Sequence, residues 1–403
     1  MKKIYILLLA LILCSCSDAD KPVLMRNSPK PIVFDNYASD VQESDNRYHP
    51  VNFDKVKAIW ISYIELAPII EKGETVFTAE FEKMCKNCVS LGVNTLYVHV
   101  RTFSDSFYSS QLYPYSKAFL GITFDALEIM LGIAHKQGLS FHAWINPLRC
   151  ETKTGLAQLS RCIINDWLDD PEKYPQYIKY VESTNHYWLN PAAEEVRKLI
   201  AEGAAEIVRN YDVDGIHIDD YFYPTTDKSF DDKLYEKYGS GVSLADWRTE
   251  NCSEMVAGIF NAVKRENSEV QFGISPQGNI LNNYNYLYAD VKRWCREEGF
   301  ADYITPQLYV GYENPVLPFI SAFDQWKEMC KEKRVKLMIG IGAYKVNTEK
   351  EFIDNIGIIA KQAERALNMT DGVAVFSYNS LFNSQRGLEE EKIIAELFKI
   401  GFP

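Results

Sequence analysis

The sequence predicts a (β/α)8 barrel, the TIM-barrel class of α/β folds, on three observations. Eight short runs rich in β-branched and aromatic residues alternate with segments of helical period, the pattern of successive βα units around a parallel sheet. Several helical segments end in glycine just before the next strand. No glycine-rich phosphate-binding fingerprint, which an open doubly wound sheet would need, occurs in the chain.

The strand candidates are Lys57 to Ile64, Thr95 to Thr102, Ser140 to Pro147 and Gly215 to Phe222, then Val270 to Gly278, Asp302 to Val310, Lys336 to Tyr344 and Gly372 to Asn379. Amphipathic helices fill the intervals, for example Asp125 to Gly138 and Ala192 to Tyr211, and a last helix near Glu389 to Lys399 completes the ring. Gly92, Gly138 and Gly299 sit where a left-handed C-cap is needed, which glycine adopts without steric cost. The long segments after strands two, three and four are expected to build a cleft over the barrel mouth.

Three regions follow: a signal segment over residues 1–15, a tether over 16–48 and the barrel over 49–403. Lys2 and Lys3 precede an apolar run from Ile4 to Leu13, well short of the ~20 residues that span a bilayer. That run ends in Leu13-Cys14-Ser15-Cys16, which resembles a bacterial lipobox with Cys16 as the acylated residue. The expectation is a lipid-anchored protein of the bacterial cell envelope, at the periplasmic face or the cell surface, held to the membrane through Cys16. The polar, proline-dotted stretch up to about Tyr48 reads as a flexible linker.

A formal net charge of −12 argues against nucleic acid as a partner, because phosphate backbones repel such a surface. The cysteines left after Cys14 and Cys16 are odd in number and widely scattered, which is no disulfide framework. Cys85 and Cys88 form a CxxC inside a helical pattern and read as two small residues on one helix face.

In such barrels chemistry gathers at the C-terminal ends of the strands. Strand one ends near Tyr63 and Glu65, and strand two in Arg101 with Asp105 beyond. Strand three carries His142, Trp144, Asn146 and Arg149; strand four carries His217, Asp219, Asp220, Tyr221 and Tyr223. Strand five offers Ser275, Gln277 and Asn279, strand six Gln307, Tyr309 and the more distant Glu313, and strand seven Tyr344 and Lys345. Strand eight adds Tyr378 and Asn379. Carboxylates, amides and aromatic rings without a nucleophilic Ser or Cys motif suit a sugar, whose hydroxyls take hydrogen bonds while its apolar face stacks on Trp or Tyr. No HxH, HExxH or two-metal carboxylate set is present, so His142 and His217 read as hydrogen-bonding groups, and no motif calls for a metal or other cofactor.

Strand alternation sorts the acidic pair. His217, Asp219 and Tyr221 share one face and Ile216 and Ile218 the other, so the first set is expected to point into the barrel. Asp220 then points away from the lumen unless the strand end twists or bulges. Glycoside hydrolysis needs one protonated carboxyl group and a second carboxylate; with Asp219 in place, the second is Asp220, Asp105 or Glu313.

The chain resembles the glycosyl-hydrolase-like family 10 group from roughly Val56 to Phe398. The markers are AIWIS, VRTFSDSFYSS, HAWINPLR, WLNPAAEEVR, DGIHIDDYFYP, GISPQG, TPQLYVGYEN and IGAYKV, in that order. The resemblance implies a TIM-barrel glycoside hydrolase, and the family's envelope members imply a cell-wall glycan, including peptidoglycan strands stripped of their peptides. It places Asp219 and Asp220 as the acidic pair and Asp105 as the aspartate after strand two. Asn190-Pro191 also matches, read here as a helix N-cap followed by proline at the first helical position. A fainter similarity to family 18 chitinases lacks their inward glutamate acid, since the corresponding positions hold His217, Asp219 and Tyr221. The strand-five end, SPQGN, likewise lacks the glutamate of amylase-like barrels.

Two other functions fit the same residues: a surface barrel that binds glycan without cleaving it, and a hydrolase of host or dietary polysaccharide. In the hydrolase of an envelope glycan, Arg101, Arg149 or Lys345 is the cation expected to meet a muramyl carboxylate.

Overall fold

The computed structural model describes residues 48–332 and 335–399. The signal segment, Cys16 and nearly all of the tether lie outside the described residues. Among those described, no helix is long and apolar enough to cross a membrane.

Eight parallel strands close into a barrel in chain order. They are β1 (Val56–Ile61), β2 (Thr95–Arg101), β3 (Ser140–Ile145), β4 (Gly215–Ile218), β5 (Gln271–Ile274), β6 (Tyr303–Ile304), β7 (Lys336–Gly342) and β8 (Gly372–Phe376). The seam is sealed by β8 against β1, with Val56 opposite Gly372 and Ile59 opposite Val375. All eight sequence candidates are present, each trimmed at its C-terminal end. Inter-strand bonding continues past some of these ends in isolated form, the Ser275 N–H donating to the Ile218 carbonyl and the Thr305 N–H to that of Ile274, both at 2.7 Å. Gly92, Gly138 and Gly299 all adopt positive φ between helix and strand.

At the mouth, Glu65 joins the two ends of the seam. Its Oε2 accepts from the Ser62 backbone N–H at 2.7 Å and from the Ser62 hydroxyl, while Oε1 accepts from Ser377 Oγ at 2.8 Å. At the opposite end, Asp214 gathers four donors: Tyr48 Oη and the Val51 N–H at 2.6 Å on one oxygen, the Phe141 N–H at 2.6 Å and His135 Nε2 at 2.9 Å on the other. The segment DGIHIDDYFYP thus runs the height of the barrel, with Asp214 tying the N-terminal stretch to its base and Asp219 emerging at the top.

Outward residues of the strands pack under the helices in one large apolar cluster, which also takes Cys85 and Cys88 from the helix Glu74–Leu91. Both are free thiols in the core, in keeping with two small residues on one face. Asn190, by contrast, is no helix cap: the helix begins at Glu194, and Asn190 Oδ1 instead accepts from the Ala192 N–H at 3.0 Å, closing a turn.

The barrel interior is filled by a second cluster of large rings, Trp60, Tyr97, Trp144 and Tyr303, joined by His142 and His217. Tyr97 lies face to face with His217 at 4.2 Å between ring centres, and Tyr303 stacks beyond at 5.9 Å. Glycines make this filling feasible, since a Cβ at Gly215 would collide with the His142 ring and one at Gly273 with the Tyr303 ring. Tyr303 has no room to retreat, because its hydroxyl is held by both His142 Nδ1 at 2.7 Å and His217 Nδ1 at 3.0 Å. Gly273→Ala is therefore expected to destabilise the fold by about 1–3 kcal/mol, as overpacked cores do, read as a lower thermal midpoint. An unchanged midpoint would show that the interior has slack.

Candidate active site

Above the ring layer, residues near or just past the C-terminal ends of all eight strands, with His99 the contribution of β2, frame a cleft of about 360 Å3. Its walls carry Trp60 and Tyr63 from β1 and its loop, Trp144 and Arg149 from β3, Tyr309 from beyond β6, Tyr344 from beyond β7 and Phe376 from β8. Asp219 and Asp220 both line it.

Asp219 is almost fully buried, 3% exposed. Asn146 Nδ2 donates to both of its carboxyl oxygens at 2.7 Å, and Arg149 in turn donates to Asn146 Oδ1 at 2.6 Å. That second bond settles which way the Asn146 amide faces, because its oxygen is occupied by the guanidinium and its nitrogen is left for Asp219. Arg149 is itself clamped, with its guanidinium 3.8 Å from the Tyr221 ring centre and 4.5 Å from that of Phe103.

Asp220 is partly exposed. Its Oδ1 accepts from Gln307 Nε2 at 3.0 Å, and the same nitrogen reaches the Ser275 carbonyl at 2.9 Å. The expectation that Asp220 turns away from the lumen holds only for a regular strand. β4 ends at Ile218, and beyond it the chain leaves the pleat, so both carboxylates reach the mouth.

Burial pushes the Asp219 carboxyl up to about 7, with the neighbouring Asp220 charge adding to the rise. Arg149, Asn146 and Trp144 pull the other way and lose. Burial also raises Asp220, against the bonds from Gln307 and Gln277. Two adjacent carboxyl groups that both resist ionisation, one of them poised near neutrality, form a pair able to hold and pass a proton.

The other sequence candidates divide into three groups. Trp144, Arg149, Tyr221, Gln307, Tyr309 and Tyr344 line the cleft, Asn146 reaches it through Asp219, and Gln277 meets Asp220 from the adjoining side. His142 and His217 lie one layer below, as structure rather than as groups facing a ligand. Burial lowers His142 to about 4 and holds His217 well below the usual histidine range, so both are neutral at pH 7. A consistent proton order follows: Trp60 Nε1 donates to His217 Nε2 at 3.2 Å, His217 Nδ1 to the Tyr303 oxygen, and the Tyr303 hydroxyl to His142 Nδ1.

Four candidates stand outside the cleft. A register shift between His99 and Arg101 breaks the alternation of β2, and Arg101 turns under the helix Glu194–Asn210, its guanidinium 4.3 Å from the Tyr113 ring and against Gly203. Asp105 is fully buried in the following loop, where Oδ1 accepts from the Thr102 and Phe103 N–H groups at 3.1 and 2.9 Å. It shapes the turn and is not among the residues that line the cleft. Tyr223 is buried against Phe230 and Tyr288. Lys345 is ion-paired with Glu349 and also lies outside the lining. Glu313, weighed as a second carboxylate, is exposed in its loop, with its backbone N–H turned toward Glu351.

Trp60, His99 and Phe376 line the cleft without having been singled out. The alternation argument used on β4 would have found them, since Trp60 follows Ala58, His99 follows Tyr97 and Phe376 follows Ala374 on inward faces. His99 stacks on Trp144 with ring centres 3.2 Å apart.

Comparison with known proteins agrees with this geometry. A family model described as Glycosyl hydrolase-like 10 matches residues 55–355. The glycosyl hydrolase YngK of Bacillus subtilis (strain 168) is 31% identical over 376 residues, covering 83% of this chain and 70% of the relative. The glycosyl hydrolase DigH of Escherichia coli (strain K12) is 29% identical over 409 residues, covering 93% and 90%. Among solved structures, the PgaB (BpsB) glycoside hydrolase domain from Bordetella bronchiseptica superposes with a TM-score of 0.60 at 10% identity, over 84% of this chain and 99% of that one. The β-amylase catalytic domain from Paenibacillus polymyxa gives 0.57 at 13% identity, over 86% and 99%. At such identities these two bear on the fold, a TIM barrel in both comparisons.

Folding carries Asp219 into a place that prefers its neutral form. The folded state is therefore favoured at low pH, and that advantage is lost as pH rises from the unfolded carboxylate range near ~4 through about 7. Asp219→Asn, which cannot ionise, is expected to raise the melting temperature by several degrees at pH 8 and hardly at all at pH 4. An equal shift at both would mean that ionising Asp219 costs the fold nothing.

Proposed function

The chain belongs to the glycosyl hydrolase-like 10 family and is a glycosidase, and from that premise we propose that Asp219 and Asp220 are its reacting carboxyl pair. The observation that carries the proposal is their shared place in one aromatic-walled cleft, with Asp219 kept protonated close to neutral pH.

In this reading Asp219 donates its proton to the glycosidic oxygen as the C–O bond breaks, and Asp220 faces the sugar carbon that loses the bond. Asp220 then supports the positive charge developing on that sugar and assists the water that completes hydrolysis. Asn146 holds the Asp219 carboxyl in place, and Arg149 holds Asn146. Rings such as Trp144 and Tyr309 take the apolar faces of the sugar. The proposed substrate is a glycan of the bacterial cell envelope, with peptidoglycan strands stripped of their peptides as its leading form. The lipobox-like Leu13-Cys14-Ser15-Cys16 supports that choice, since a lipid anchor at Cys16 would hold the enzyme near such strands, and Arg149 is the one cation named from the sequence that lines the cleft.

Asp219→Asn and Asp220→Asn are each expected to lower kcat on denuded peptidoglycan by ~10²–10⁴-fold while leaving binding nearly intact, measured as reducing ends released and by co-sedimentation. A wild-type protein that binds the strands and releases no reducing ends would point to a binder. Because the acid must carry its proton, activity is expected to decline as pH rises through about 7; a rate still climbing at pH 9 would remove Asp219 from the acid role. Cys16→Ala is expected to move the protein from the membrane fraction to the soluble one, checked by fractionating cells; retention in the membrane would exclude anchoring through Cys16.

A further inference from the structure

The cleft does not end at the carboxyl pair. A second hollow of about 390 Å3 adjoins it, and Asp220 and Gln307 line both. The wall between the two halves is therefore Asp220 with its hydrogen-bonded partner Gln307, and Asp219 faces the first half alone.

The halves differ in chemistry. The first is walled by rings and carries Arg149. The second carries no ring and no charged side chain other than Asp220, and is lined by the amides Gln277, Asn279 and Asn314 with Val310, Val316 and Leu317 beside them. Two of these amides are oriented by the backbone. Asn279 Oδ1 accepts from the Asn282 N–H at 3.1 Å, and Asn314 Oδ1 accepts from the Val316 and Leu317 N–H groups at 3.0 and 2.9 Å. With the oxygens so engaged, what each side chain has left for a ligand is its Nδ2 donors. Donors next to small apolar side chains match an acetamido group, whose carbonyl oxygen accepts hydrogen bonds and whose methyl prefers Val or Leu to water.

We propose that this second hollow is a sugar subsite across the scissile bond from the aromatic half, that it takes an N-acetylated hexosamine unit, and that the enzyme consequently cuts within glycan chains. The proposal rests on the glycosidase reading of Asp219 and Asp220. A ring-walled half grips the chain by stacking on one side of the bond, and an amide-lined half reads its acetamido group on the other. The occupant is the continuation of the same chain, since both halves open onto one carboxylate.

The test uses N-acetylglucosamine-containing chains of defined length, fluorescently labelled at the reducing end, with the wild-type protein and Val316→Trp. Val316 is 66% exposed, so the larger ring fills the hollow without disturbing the core. Wild type is expected to produce labelled fragments of many lengths from the earliest time points. Val316→Trp should raise KM for these chains at least tenfold with its melting temperature unchanged, and a chemically deacetylated chain should be cut at least tenfold more slowly by wild type. Early products confined to the terminal one or two sugars would overturn internal cutting while leaving the glycosidase reading in place. Equal rates on acetylated and deacetylated chains would overturn the acetamido assignment, and an unaltered KM in Val316→Trp would overturn the subsite. No cleavage of any chain would sink the proposal together with the reading beneath it.

Discussion

Tyr97, His217 and Tyr303 lie ring against ring across the inside of the barrel, and the molecule depends on that stack. Eight strands enclose a space that buried rings occupy, so polar atoms inside it look first to one another for partners. The relay from Trp60 through His217 and Tyr303 to His142 does this for its four members with neutral histidines. Its geometry also explains Gly215 and Gly273, whose missing side chains are the space the rings occupy. The same layer is the floor of the cleft, and a dry aromatic floor is what deprives Asp219 of solvent two residues after His217.

That desolvation is the dominant electrostatic fact of the site. Asp219 has a guanidinium close by, an amide donating to both oxygens, and still holds its proton up to about 7. The favourable partners are outweighed: the Arg149 charge and the Asn146 hydrogen bonds both act on the carboxyl, but burial and the Asp220 charge act on it more strongly. Asp220 keeps some contact with solvent and the amide of Gln307. Two neighbouring residues of one type thus acquire different surroundings within a single turn of chain.

Much of this was legible in the sequence wherever a periodic rule applied. Hydrophobic alternation located all eight strands and sent His217 and Asp219 inward, and the glycine caps marked helix ends that the structure shares. Local rules failed where regular structure stopped. Arg101 should have faced the lumen by counting from Tyr97 and His99, but a shift in the β2–β3 register turned it under a helix. Asp220 should have faced outward, but the strand ends before it. Asp105 and Asn190 carry the right chemistry for a site and a cap, yet each spends its side chain on nearby backbone N–H groups.

The sequence alone therefore determined the architecture, the end of the barrel where the cleft opens and the segment that brings two carboxyl groups to it, because those follow from repeating patterns of burial that each residue reports locally. Only the tertiary structure decided which polar groups share the cleft, which lie sealed in the ring layer below, and that Asp219 is the carboxyl held near neutrality. Those outcomes depend on solvent exclusion and on hydrogen bonds between residues far apart in the chain, such as Asn146 with Asp219 and Gln307 with Asp220. A strand's period says which way a side chain leaves the backbone, and the partner it meets is set by where seven other strands end.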